Sequence, residues 1–372
     1  MLDRRFISSF DGWFVVVLLS ILSLGVLSIY TVTYAVSAKT HLPIYAKQMI
    51  WISLGLIVFF IAASIDYHEI ARWSLFLYAG CVTLLVMVLL VGRTGMGARR
   101  WLSLGFFDIQ PSEWIKLFVI LVLARYFSTR TRLQGLSLKE LIVPGLWVAV
   151  PLLLVLKQPD LGTALGLLFI FGVLVFLIGL RSRTVGFSIL ISLMAFPFVW
   201  EIFWNALKPY QRNRLIAFIN PALDPMGRGY HALQSKIAIG SGGWFGKGLF
   251  GGTQSQLNFL PEGHTDFIFA VFAEEWGFVG VILLLLLYFL LIGWGIDVAS
   301  KAKDLLGVFM AVGIVSVLVF YLAVNIGMTL GVAPVVGIPL PLMSYGGNSI
   351  LTTMAGLGLL LNIKMRRFML FY

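Results

Sequence analysis

Ten apolar runs, each close to the length that crosses a lipid bilayer, limit what this chain can fold into before any motif is considered. They lie at approximately 12–35, 47–65, 72–91, 113–127, 140–157, 161–180, 185–204, 267–296, 306–328 and 348–364. A hydrocarbon core is roughly 30 Å thick and takes about 20 helical residues to span. Within it every backbone amide must be bonded internally, so runs of this length are expected to be helices. The expected fold class is all-α: a polytopic integral membrane helical bundle of ten transmembrane helices, forming a single membrane domain over 1–372. Composition agrees, since 60% of the residues are hydrophobic and 12% are charged. The first run follows MLDRR without a small-residue cleavage site and reads as a retained span.

A net charge of +11 raises the question of nucleic acid, and the placement of the lysines and arginines answers it. With the N-terminus in the cytoplasm, Arg4, Arg5, Arg72, Arg125, Arg130, Arg132, Lys139, Arg181, Arg183, Lys301, Lys303, Lys364, Arg366 and Arg367 fall inside. The short outer segments hold Lys39, Lys47, Arg93, Arg99, Arg100 and Lys157. Both termini are then cytoplasmic, and topology with anionic membrane lipid accounts for the basicity without a nucleic-acid partner. Cys81, alone of its kind and inside the third run, excludes internal disulfides and cysteine metal clusters and reads as a small core residue.

The same topology turns 205–266 outward between spans seven and eight, and loops of that length are usually functional. PYQRNRLIAFINP and GYHALQSKIAIG within it carry apolar residues at helical spacing, as surface-lying amphipathic segments or an ordinary covering loop would. Gly331 to Ser349 mixes prolines, glycines and apolar residues and cannot be one straight helix. A re-entrant loop beside a site is expected, because irregular backbone at membrane depth must be buried in protein or line a polar cavity, with a plain interhelical connector as the alternative. No sequence repeat relates the halves, which argues against an inverted-repeat transporter.

Ionisable groups beside transmembrane runs need a partner or a purpose. Asp266, in HTDFIFA, closes the outer loop at the threshold of span eight. It, or Thr265, suits a helix cap, and Asp266 also suits catalysis. His264 beside it is a ligand, a base or a polar surface group. Glu113 and Lys116, three apart in QPSEWIKL, share a helix face and form either a structural pair or a polar groove, to which Lys47 adds a second cation for a phosphate. Asp160 in QPDLGTA has the setting of an N-cap. The run GSGGWFGKGLFGG offers a glycine cradle with Lys247 for a pyrophosphate, or merely flexible turns. It is not a P-loop, because Ser241 and Gly248 occupy positions that require glycine and a hydroxyl. These residues describe an outward groove with carboxylates, suited to a phosphorylated substrate, and leave open whether that substrate is moved or transformed.

Seven of these segments together resemble the SEDS family over nearly the whole chain: GARRWL, QPSEWIKL, QPDLGTA, YQRNRL, GYHALQSKIAIGSGG, GTQSQLNFLPEGHTDFIFAVFAEEWG and PLMSYGGNS. GTQSQLNFLPE is closer to the elongation-type branch than to the division-type one. The resemblance implies a glycosyltransferase that polymerises lipid II on the outer face of the cytoplasmic membrane, with Asp266 as its essential aspartate. It implies a groove at Lys47, Glu113 and Lys116, and substrate contacts at Asp160, Arg212, Lys247, His264, Thr265 and Ser344. Lys47 stands where some relatives carry arginine. A divalent cation, Mg²⁺ or Mn²⁺, held by Asp266 is an alternative role for that residue, and no organic cofactor is expected. The implied partners are a class B penicillin-binding protein transpeptidase and the MreC and MreD elongation proteins. A lipid II flippase and a transpeptidase scaffold are the competing expectations.

Overall fold

The computed structural model describes residues 11–37, 42–95, 98–103, 105, 108–130, 135–181, 184, 186, 212, 228–257, 259–260 and 262–367. In chain order the helices are α1 (Gly12–Ser37), α2 (Ile44–Ser64), α3 (Tyr67–Arg72), α4 (Ser74–Val91), α5 (Pro111–Ser128), α6 (Leu138–Lys157) and α7 (Leu161–Ile178). They continue as α8 (Arg228–Ser241), α9 (Thr253–Gln256), α10 (Ile268–Ser300), α11 (Leu305–Thr329) and α12 (Gly347–Met365). Among the described residues, α1, α2, α4, α6, α7, α10 and α11 are the seven helices long and apolar enough to cross a membrane. The expected spans 113–127 and 348–364 coincide with α5 and α12. These are more polar, carrying Glu113, Lys116 and Arg125 in one and Asn348, Asn362 and Lys364 in the other. The expected span 185–204 falls outside the described residues, apart from Gly186 within it.

One part of the all-α expectation is corrected. Between α4 and α5 the chain forms a three-stranded antiparallel sheet of β1 (Arg93–Gly95), β2 (Ala98–Ser103) and β3 (Asp108–Ile109), in the order β1-β2-β3. The segment is too short and too rich in glycine for a helix, and a hairpin pairs backbone groups that would otherwise be unpaired at the end of the bundle. The guanidinium of Arg100 then fastens β2 to the carbonyls of Gln158 and Pro159 in the turn before α7.

Helix α5 lies at the centre, with nearly every residue from Pro111 to Phe127 buried, and packs against α4, α7 and α11. Cys81 is buried on α4 and bonds the carbonyl of Pro111, consistent with a core residue. At one end of the bundle Asn362 donates to the last carbonyls of α2, and Asp304 caps α11 while accepting from Tyr67. The opposite end, where α2 begins and α11 finishes, carries the described residues of the loop expected to face outward and the irregular segment 330–346.

Helix α10 is broken at Gly277, whose φ of 65° and ψ of −165° are open only to glycine. The glycine-rich loop after α8 repairs the break. Lys247 N–H and Gly248 N–H donate to the carbonyls of Glu274 and Glu275 at 3.0 Å each, while Phe278 N–H and Val279 N–H donate to the carbonyls of Gly243 and Trp244 at 2.9 and 3.1 Å. Backbone meets backbone so closely that a Cβ on Gly246 would stand 2.1 Å from the Glu275 carbonyl oxygen. Gly246→Ala should therefore cost about 2–4 kcal/mol, from positive φ and overpacking together. Gly243→Ala meets nothing within 4 Å and carries only the φ penalty. Thermal unfolding midpoints of the two variants in detergent should rank in that order.

Candidate active site

Lys116 Nζ lies 2.8 Å from Glu113 Oε2 and 2.6 Å from the hydroxyl of Tyr321, so the spacing of three residues on α5 does produce a pair. All three side chains are buried. They border a groove between α5, α11 and α12, about 450 Å³ of empty space counting what is open to solvent, whose other walls are apolar groups such as Leu117, Ile314 and Leu318 together with Ser349, Thr352 and Thr353. Lys116 is therefore an internal cation that Glu113 neutralises, facing a largely apolar groove.

Asp266 stands in the turn before α10, half-buried. The N-cap position of its helix is Phe267, so neither Thr265 nor Asp266 stands at the cap position considered for them. The Thr265 hydroxyl donates to Glu262 Oε2 at 2.9 Å instead. Three successive carbonyls of the turn are held from outside it. Tyr345 N–H donates to the His264 carbonyl at 2.9 Å, the Ser344 hydroxyl to the Thr265 carbonyl at 2.6 Å, and the Asn325 amide to the Asp266 carbonyl at 2.9 Å. Ser344 and Tyr345 belong to the expected re-entrant loop, whose Ile338, Leu340, Leu342 and Met343 are buried in the bundle. Gln48 on α2 brackets that loop, donating to the Ser344 carbonyl at 3.1 Å.

Tyr321 and Asn325 are four residues apart on α11, so the partner of Lys116 and the partner of the Asp266 peptide lie on one helix face, about 6 Å apart along its axis. One helix thus ties the buried ion pair to the aspartate turn. Residues 12–368 match the Cell cycle protein family that groups FtsW, RodA and SpoVE. The chain belongs to this family. It is 45% identical over 320 residues to the peptidoglycan glycosyltransferase MrdB of Escherichia coli K12, covering 86% of this chain and 85% of that protein. It is 38% identical over 361 residues to stage V sporulation protein E of Bacillus subtilis, covering 95% and 96%. The crystal structure of rod shape determining protein RodA from Thermus thermophilus matches with a TM-score of 0.70 at 32% identity, over 97% of this chain and 98% of that one. A chain from a peptidoglycan synthase complex, solved to explain how polymerization and crosslinking are coordinated, matches with a TM-score of 0.82 at 34% identity, over 96% and 98%.

The remaining expected residues separate into two groups. Lys47 is exposed on the first turns of α2, next to Gln48, and Arg212 is half-buried with most of its segment outside the described residues. Lys247, Asp160 and Ser344 are engaged within the protein. The Lys247 ammonium reaches Glu274 Oε1 at 2.7 Å, so the lysine neutralises a fully buried carboxylate while the glycines of the expected phosphate cradle serve the helix break. Asp160 is the N-cap of α7, accepting from Thr163 N–H at 3.3 Å and Thr163 Oγ1 at 2.9 Å. Ser344 is buried, with its hydroxyl spent on the backbone of Thr265 and Leu340. In the loop expected to face outward, α8 covers GYHALQSKIAIG and packs on α10 with Ser235 and Ala238 buried, leaving Leu233 and Ile237 exposed; PYQRNRLIAFINP lies outside the described residues apart from Arg212.

Burial holds the His264 imidazole below its ordinary range, against the opposing pull of the Glu262 carboxylate. The folded state therefore takes up this proton less readily than the unfolded chain. The stability it contributes is complete above the ordinary value of 6.5 and is lost as pH falls through that value toward the lower folded one. His264→Gln should flatten this limb when unfolding midpoints are measured against pH. No group of three His, Cys, Asp or Glu side chains among the described residues is arranged to hold a metal ion.

Tyr321 and Asn325 were not among the expected site residues. Their signal was present, since two polar groups four apart inside an apolar run share a face, but a tyrosine and an amide are uncharged at neutral pH and so do not demand a partner as an ion does.

Proposed function

We propose that this chain is a peptidoglycan glycosyltransferase that polymerises glycan strands from lipid II at the outer face of the cytoplasmic membrane during cell elongation, as one membrane domain. The observation that carries the reading is the aspartate turn of a SEDS-family chain, held by three hydrogen bonds at the end of a bundle whose interior offers an apolar groove. Such a site suits a substrate that joins a polyprenyl tail to a charged, sugar-bearing head. The Asp266 carboxylate takes the proton from the 4-hydroxyl of the acceptor sugar. The oxygen then bonds to the anomeric carbon of the donor, the bond from that carbon to the pyrophosphate breaks, and its electron pair leaves on undecaprenyl pyrophosphate.

Exposed Lys47 and half-buried Arg212 are the cations suited to the developing pyrophosphate charge, whereas Lys116 and Lys247 neutralise carboxylates of the protein. Ten spans with both termini cytoplasmic set these groups outside. A class B penicillin-binding protein is the partner that crosslinks the strands, alongside MreC and MreD. The test is strand synthesis from lipid II by the purified protein with a partner whose transpeptidase nucleophile has been removed, with and without chelator. Strands from this mixture assign polymerisation to this chain. Their absence, with folding and partner binding intact, overturns the assignment in favour of transport or scaffolding.

A further inference from the structure

Asn325 lies in the interior of α11 with no exposed surface, in an otherwise apolar stretch. Its Nδ2 donates in two directions, to the Asp266 carbonyl at 2.9 Å and to the Ile338 carbonyl at 2.7 Å. Its Oδ1 is buried and has no hydrogen-bond partner among the described residues. The orientation follows from the chemistry, since exchanging the oxygen and nitrogen would set an acceptor against two carbonyl oxygens. An unmatched buried acceptor costs stability, and a leucine would fill similar space without that cost. What the amide supplies and an aliphatic group does not is the pair of donors.

Those donors join two segments far apart in sequence, the aspartate turn and the re-entrant loop. Ser344 and Tyr345 hold the preceding two carbonyls, yet both belong to the re-entrant loop and move with it. Of the three anchors, Asn325 alone comes from a membrane span. It also stands one turn from Tyr321 and hence from the Glu113–Lys116 pair. We propose that Asn325 is a positioning residue, fixing the Asp266 peptide against α11 so that the carboxylate keeps its place relative to the groove. This rests on the reading of Asp266 as the base.

The test compares Asn325→Leu, Asn325→Asp, Asp266→Asn and wild type, each with its partner and lipid II, by kcat, KM and the pH dependence of kcat. Ser316→Ala is the control, because its hydroxyl bonds only within α11 and its loss should leave activity unchanged. Asn325→Leu should lower kcat about 10- to 100-fold, the scale of a displacement near 1 Å, with KM nearly unchanged. Asn325→Asp should fall between, because a buried carboxylic acid facing two carbonyls stays protonated and gives back one donor. Its activity relative to wild type should then decline as pH rises and the acid ionises. The titratable groups on the surrounding elements, Asp266, His264 and Glu262 in the turn, Tyr345 in the loop, and Tyr321 with Lys116, are common to both proteins and cancel in that ratio.

A folded Asn325→Leu protein with wild-type kcat, or a flat Asn325→Asp ratio, overturns the proposal. Should Asn325→Leu fail to fold, the pH ratio decides by itself. Retained turnover in Asp266→Asn defeats the base assignment. Loss there beside normal Asn325 variants defeats only the positioning role.

Discussion

Asp266→Asn should abolish strand synthesis while the protein still folds and binds its partner. The substitution is nearly isosteric and leaves the backbone carbonyl that accepts from Asn325, so the turn keeps that anchor. What is lost is the basic oxygen. General-base catalysis is worth about 10²–10⁴ in rate, so the expected residue of activity lies at or below one per cent of wild type. Gel analysis of strands formed from lipid II measures it directly. A turnover within a few-fold of wild type would sink the assignment.

The second large effect is on stability. Lys116→Ala leaves the Glu113 carboxylate buried without its cation, and breaking a buried pair in this way costs about 3–5 kcal/mol. Removing Glu113 as well should recover much of that loss, because the stranded charge goes with it. The coupling is read from unfolding midpoints of the two single variants and the double variant. Tyr321 shares the ammonium, so Tyr321→Phe should be milder than either single loss. If the double variant is as unstable as the sum of the singles, Lys116 is not held chiefly by Glu113, and a direct substrate contact regains its case.

Much of the bundle was legible because a bilayer allows few solutions: where apolar runs reach bilayer length, helices follow, and seven of the expected spans meet that criterion directly. The pairing of Glu113 with Lys116 and the capping by Asp160 were legible for a local reason, since both operate within one turn of one helix. What escaped depends on contacts between distant segments. Lys247 suggested a phosphate ligand because a glycine-rich neighbourhood looks the same whether its amides face an anion or a broken helix. Ser344 was expected against substrate, and its burial depends on a turn some 80 residues earlier in the chain. Asn325 required knowing which carbonyl faced it.

The break at Gly277 also bears on how the protein meets membranes of different thickness. As one straight rod, the 33 residues of α10 would run about 50 Å, far beyond a hydrocarbon core of roughly 30 Å, and the mismatch would be relieved by tilting the whole helix. The segment after the break, 278–300, runs about 34 Å and fits the core with a modest tilt. The piece before it, which begins two residues after Asp266, takes its direction from the glycine loop, from Lys247 on Glu274 and from Asn325. A change in lipid chain length can therefore be absorbed by the long piece, while the short one keeps the aspartate in register with the groove.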